Sequence, residues 1–203
     1  MYSTNNATVN NDEFISNYMP VGINENVTLK EINLKKSSTN KDYIEFVFEN
    51  ESGQTAKFSE WKNEKNMWIK TDKDLQERDN QQFGRILQII SCYYDTVPEA
   101  EISTFAEMIA WVKKQLDTVD KSKKLRLKVI YDKKGYTTVS SFGIFVEPMT
   151  VEESQIKLFK RDLLERAVKA DTETPADPLA SDSTPNTETA DFGTSTDANE
   201  LPF

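Results

Sequence analysis

Asp42-Tyr43-Ile44-Glu45-Phe46-Val47-Phe48-Glu49 is the stretch on which the fold of this 203-residue chain turns. Ile44, Phe46 and Phe48 fall on one side of an extended backbone and Tyr43, Glu45 and Val47 on the other, because successive side chains of a strand point to opposite faces. Such alternation predicts a half-buried strand. Before the Ser37-Ser38-Thr39-Asn40 turn, Val27 and Leu29 alternate and then slip phase to Ile32 and Leu34, which a bulge near Lys30 and Glu31 explains. After it, Glu51-Ser52-Gly53-Gln54 closes a hairpin whose partner strand is 55–61. Three strands in this order, twisted, begin a small barrel.

The period then changes. Phe83, Ile86, Leu87, Ile90 and Tyr94 recur at three- and four-residue steps. Thr104 and Glu107 form a capping box ahead of Phe105, Met108, Ile109, Val112 and Leu116, so two amphipathic helices are predicted. Alternation returns at Leu125, Leu127, Val129 and Tyr131, followed by an Asp132-Lys133-Lys134-Gly135 turn and a strand or pair of strands from Tyr136 to Glu147. Thr150 and Glu153 suggest another capping box, and Ile156, Phe159, Leu163 and Ala167 share one helical face, so a C-terminal amphipathic helix is predicted over 150–170. Three strands, a helical insert at about 72–117 and two further strands fit an OB-fold, a mainly β, five-stranded Greek-key barrel with inserted helices. Periodicity alone also admits another small barrel or an α+β sheet. The expected organisation is a polar arm at 1–20, the barrel domain at 21–149, the helix at 150–170 and a disordered, Pro- and Thr-rich acidic tail at 171–203.

Charge divides along the same boundaries. The chain carries 25 Lys and Arg against 34 Asp and Glu, a net charge of -9. The tail holds eight of those acids and no base, leaving residues 1–170 at -1. The lone cysteine, Cys92, permits neither an intrachain disulfide nor a cysteine-rich zinc site. No leader pattern and no span of about 18 apolar residues is present, which predicts a cytoplasmic protein without membrane contact.

Enzyme readings lose support residue by residue. The chain has no histidine, which removes imidazole-based relays and nucleophile activation. Gly84 is followed by Arg85-Ile86-Leu87 and not by the Lys-Ser/Thr of a phosphate loop. Asp72, Asp74, Glu77 and Asp79 form the best acidic cluster, but they fall at a predicted helix start, where carboxylates favour the positive end of the dipole. They also lack the Gly and final Glu of a calcium loop. No catalysis, cofactor or metal is expected.

Two stretches suit a polyanion with stackable groups. In Lys57 to Lys70, the aromatic residues Phe58, Trp61 and Trp68 interleave with Lys57, Lys62, Lys65 and Lys70, and Tyr43 adds a ring on the outward side of its strand. The plainer account places Phe58 in the core and one Trp at the barrel mouth. In Lys121 to Lys134, the cations Lys121, Lys123, Lys124, Arg126, Lys128, Lys133 and Lys134 meet only one acid, Asp132. Arg126 and Lys128 point away from Leu125, Leu127 and Val129, so they are predicted to share an exposed face; a charged strand edge that blocks aggregation explains the run equally well.

The chain ends Asp197-Ala198-Asn199-Glu200-Leu201-Pro202-Phe203. A terminal Phe offers a ring and a carboxylate to a partner, and Pro202 limits the freedom lost on binding. Through Asp197, Glu200, Leu201, Pro202 and Phe203 the end resembles the acidic Pro-Phe tip of bacterial and bacteriophage single-stranded DNA-binding proteins. It differs from the commonest bacterial tip, which has consecutive Asp residues and Ile before Pro. The resemblance implies an OB-fold body that coats single-stranded DNA largely without sequence preference in replication, recombination and repair. It also implies a tip that recruits proteins such as a polymerase, helicase, primase or nuclease. The large helical insert, and the lack of the usual bacterial N-terminal strand motif, resemble a divergent bacteriophage version acting in the host cytoplasm. Bacterial relatives assemble through their barrels and many phage ones do not, so an oligomer and a monomer both fit. An acidic-tailed interaction or chaperone protein without a nucleic-acid site, and a carboxylate-metal nuclease, are the rival classes.

Overall fold

The computed structural model describes residues 16–166. Most of the predicted arm, the last residues of the predicted 150–170 helix, the tail and its tip lie outside these.

The elements are β1 (Gly22–Lys36), β2 (Asp42–Glu49), β3 (Thr55–Trp61), α1 (Asp72–Ser91), α2 (Phe105–Asp117), β4 (Leu125–Tyr131), β5 (Thr137–Val139) and β6 (Val146–Pro148). The strand order is β3-β2-β1-β4-β5, with β6 also on β4. Every pairing between these strands is antiparallel. One long strand serves two partners: β1 pairs with β2 from Thr28 to Lys36 and with β4 from Gly22 to Val27. Its register slips between Leu29 and Glu31, where the bulge is predicted, and again between Asn24 and Val27. Asn26 sits at the second slip with φ 56°, a left-handed conformation that Asn tolerates better than most residues.

β5 and β6 are two halves of one barrel strand on β4. Val129 pairs with Val139 and Leu127 with Val146, so residues 140–145 loop out between the halves. The circuit is nearly closed, because Thr138 Oγ1 of β5 donates to the Lys57 carbonyl of β3 at 3.3 Å. The result is a nearly closed, five-strand antiparallel barrel with two helices between its third and fourth strands, an arrangement compatible with an OB-fold.

Ile44, Phe46 and Phe48 are fully buried, and Phe58 bridges Phe46 and Phe145 at ring centroid distances of 6.0 and 5.0 Å. Each such side chain contributes roughly 1.5–3 kcal/mol on leaving water. α1 and α2 add Ile86, Ile89, Ile90, Val112 and Leu116 to this core. Both helices open with a capping box, Thr71 with Asp74 and Thr104 with Glu107. Cys92 is buried against the core and its thiol donates to the Gln88 carbonyl; burial pushes its pKa up to about 12. Ahead of the barrel, Asn17 and Met19 exchange backbone hydrogen bonds with Thr55, and the Met19 side chain is buried.

Residues 151–166 hold no helix, contrary to the spacing of Ile156, Phe159 and Leu163. The segment runs alongside β4 in the same direction. The carbonyls of Val151, Lys157 and Leu163 accept in turn from the Arg126 guanidinium, the Lys128 ammonium and the Tyr131 amide. Carbonyls engaged by the barrel are withdrawn from a helical ladder, so tertiary bonding overrides local propensity.

Candidate nucleic-acid interface

The outward side of β1, β2 and β3 follows from the register. Tyr43 lies opposite Trp61, Glu45 opposite Ser59 and Val47 opposite Lys57. The Tyr43 and Trp61 rings stack with centroids 4.0 Å apart and planes inclined by 18°. Trp61 remains 44% exposed and Tyr43 is half-buried, so the indole, backed by the phenol ring, is an accessible ledge. Lys57 reaches within 3.9 Å of Glu45, which also accepts from Lys35. That hydrogen bond raises the Lys35 pKa above its ordinary 10.5.

Beside this ledge, along the seam between β3 and β5, lies a cleft of about 730 Å3. Trp61, Lys57, Lys133, Arg85, Phe142 and Arg161 line it. Arg85 is held by both oxygens of the buried Glu60, and Gln82 donates to the same carboxylate, so this network supports the cleft without leaving a free charge. Lys133 stands exposed in the β4–β5 turn and makes no ion pair among the described residues. In OB-folds the face of the second and third strands, with the loops at its ends, is where oligonucleotides and oligosaccharides bind.

Not every predicted residue joins this site. Trp68 is 82% exposed in the loop after β3, but it borders α1 near Asp74 and Arg78, apart from the residues lining the cleft. In the same loop Lys62 and Lys70 are exposed, while Lys65 pairs with Asp72 at 2.6 Å.

The run from Lys121 to Lys134 is not one cationic patch. Lys121 pairs with Asp117 and Lys124 with Glu51 at the start of β4, where Lys123 is half-buried. Lys133 and Lys134 lie beyond the other end of that seven-residue strand, roughly 20 Å away. Between them Arg126 is paired with Glu25 and Glu147. Lys128 has 0% side-chain exposure and binds Asp162, also at 0%. The two residues do point opposite to Leu125 and Leu127, as alternation requires. That face is covered by residues 151–166, so neither is an exposed phosphate contact.

The acids of α1 have their own structural use. Asp74 accepts the Lys70 and Thr71 amides and lies below its ordinary pKa because of the Thr71 backbone and hydroxyl bonds. Among the described residues no three His, Cys, Asp or Glu side chains gather to hold a metal ion. No helix among them is long and apolar enough to cross a membrane. Sequence reading missed Phe142, Arg161 and Arg85. Phe142 falls where strand is expected and Arg161 where the 150–170 helix is expected, yet both lie on irregular backbone, and Arg85 sits on a helix judged only for its apolar stripe.

Comparison with protein-family models gives no match, and comparison with curated proteins gives none either.

Proposed function

We propose that this chain binds single-stranded DNA through the cleft and its aromatic ledge, largely without sequence preference, and acts by coating the strand and not by catalysis. The observation that carries this reading is the exposed Trp61 ring, stacked on the half-buried Tyr43 at the outward side of a nearly closed barrel, beside a cleft bearing Lys57 and Lys133. Unpaired bases stack on such a ring whatever their identity, at roughly 1–3 kcal/mol each. The flanking ammonium groups meet the backbone between them. Duplex DNA keeps its bases stacked inside and cannot offer a face to Trp61. The Pro-Phe tip is assigned the recruitment of replication, recombination or repair proteins, in the manner the resemblance implies.

The test is a titration of oligo-dT, matched duplex and oligo-rU into the full-length chain, followed by tryptophan fluorescence. Quenching by the single strand, weak response to duplex and a log-log salt slope of about -0.7 per neutralised phosphate are expected. No binding of oligo-dT, with a partner still captured through Phe203, would favour an interaction protein without a nucleic-acid site.

A further inference from the structure

Residues 151–166 bring to the cleft a cation that neither the strand patterns nor the lysine runs indicate. The Arg161 guanidinium lies 4.1 Å from the Phe142 ring centroid and 5.3 Å from that of Phe159. It lines the same cleft as Trp61 and Lys57. Among the described residues it makes no hydrogen bond and no ion pair. Arg85 and Arg126, by contrast, are engaged by Glu60 and by Glu25 and Glu147.

Position and freedom are both fixed around it. Asp162, the next residue, is wholly buried on Lys128 and accepts the Phe159 amide at 2.7 Å. Arg161 is therefore carried on a short turn anchored from inside the barrel. Rings meet a guanidinium through its faces and leave its in-plane N–H donors available, the edge that matches a phosphate. A side chain already held this way loses little freedom on binding. The exposed Phe142 ring offers an apolar surface beside it.

We infer that Arg161 is a phosphate-binding point of the cleft, fixing the backbone of a single strand whose base stacks on Trp61. This rests on the reading of the cleft as a single-strand site. Segment 151–166 is then a wall of the binding site and not a linker to the tail.

The test is anisotropy titration of end-labelled oligo-dT over a salt series, using the full-length chain, Arg161→Ala, Arg161→Lys and Trp61→Ala, with thermal melts alongside. Arg161→Ala is expected to weaken binding by about five- to tenfold and to lower the salt slope by about 0.7, the share of one phosphate. Arg161→Lys is expected to keep the slope and recover only part of the affinity, since an ammonium lacks the planar fork. Trp61→Ala is expected to weaken binding with the slope unchanged. Wild-type affinity and slope in Arg161→Ala, while Trp61→Ala weakens binding, overturn the assignment and leave the cleft reading standing. Oligo-dT binding that neither substitution alters, or none by the wild type, overturns both. Should Arg161→Ala melt early, Arg161→Lys decides: full wild-type affinity there overturns the assignment.

Discussion

Lys128 and Asp162, 34 positions apart in the chain, meet at 3.2 Å with both side chains wholly withdrawn from water. The Phe142 and Lys157 carbonyls accept the remaining ammonium donors at 2.9 and 3.0 Å. One cation thus ties the looped-out residues between β5 and β6 to segment 151–166. Removing either partner strands a charge in the interior, which costs about 3–5 kcal/mol. Lys128→Ala and Asp162→Ala should each lower the urea midpoint accordingly, and the pair Lys128→Met with Asp162→Leu should recover only part of the loss, because the Phe142 and Lys157 carbonyls and the Phe159 amide lose their partners. Single-substitution costs below about 1 kcal/mol would mean that water reaches the pair.

The two exposed indoles should separate in function. Trp61 stands on the ledge and Trp68 beside α1, so oligo-dT should quench fluorescence in Trp68→Phe and fail to do so in Trp61→Phe. Trp61→Ala should cost about 1–3 kcal/mol of binding, the worth of one stacked base. The reverse pattern would move the site to the loop after β3.

Gly143 lies directly against the Phe159 ring of segment 151–166. Its φ is +64°, and a Cβ there would lie 2.8 Å from a ring carbon of Phe159. Gly143→Ala should cost about 1–3 kcal/mol, as overpacking does, and should open 151–166 to limited proteolysis. Unchanged cleavage kinetics would show that the ring yields without cost.

Acid sensitivity should trace partly to Glu147. Burial alone would raise its pKa, but hydrogen bonds from Ser154, the Gln155 amide and Arg126 outweigh it and hold the carboxyl below its ordinary 4.5. A carboxylate with a lowered folded pKa contributes stability that is present above the unfolded value and lost as pH falls through the folded one. Stability should therefore hold at neutral pH and decline below pH 4.5, and Glu147→Gln should flatten that decline. An identical acid limb in the variant would assign the loss to other carboxylates.

Where local pattern and burial coincide, the sequence was readable. Ile44, Phe46 and Phe48 alternate because one face of β2 is core, and the phase slip at Lys30 and Glu31 marks a true bulge. Thr104 and Glu107 cap a helix because nothing else competes for their groups. Thr150 and Glu153 carry the same signature and fail, because the carbonyls that would build that helix are taken by Arg126, Lys128 and Tyr131. The site was legible in part: Tyr43, Lys57 and Trp61 were read from type and spacing, but their meeting depends on hairpin register. The burial of Lys128 depends on a covering segment that alternation within β4 cannot reveal.

Segment 151–166 also decides where the protein can be cut. A truncation after residue 149, at the end of the predicted barrel domain, would leave the Lys128 ammonium without its Asp162 counterion and without the Lys157 carbonyl. Arg166 packs against Gly135 in the β4–β5 turn, so the smallest piece expected to fold unaided ends there.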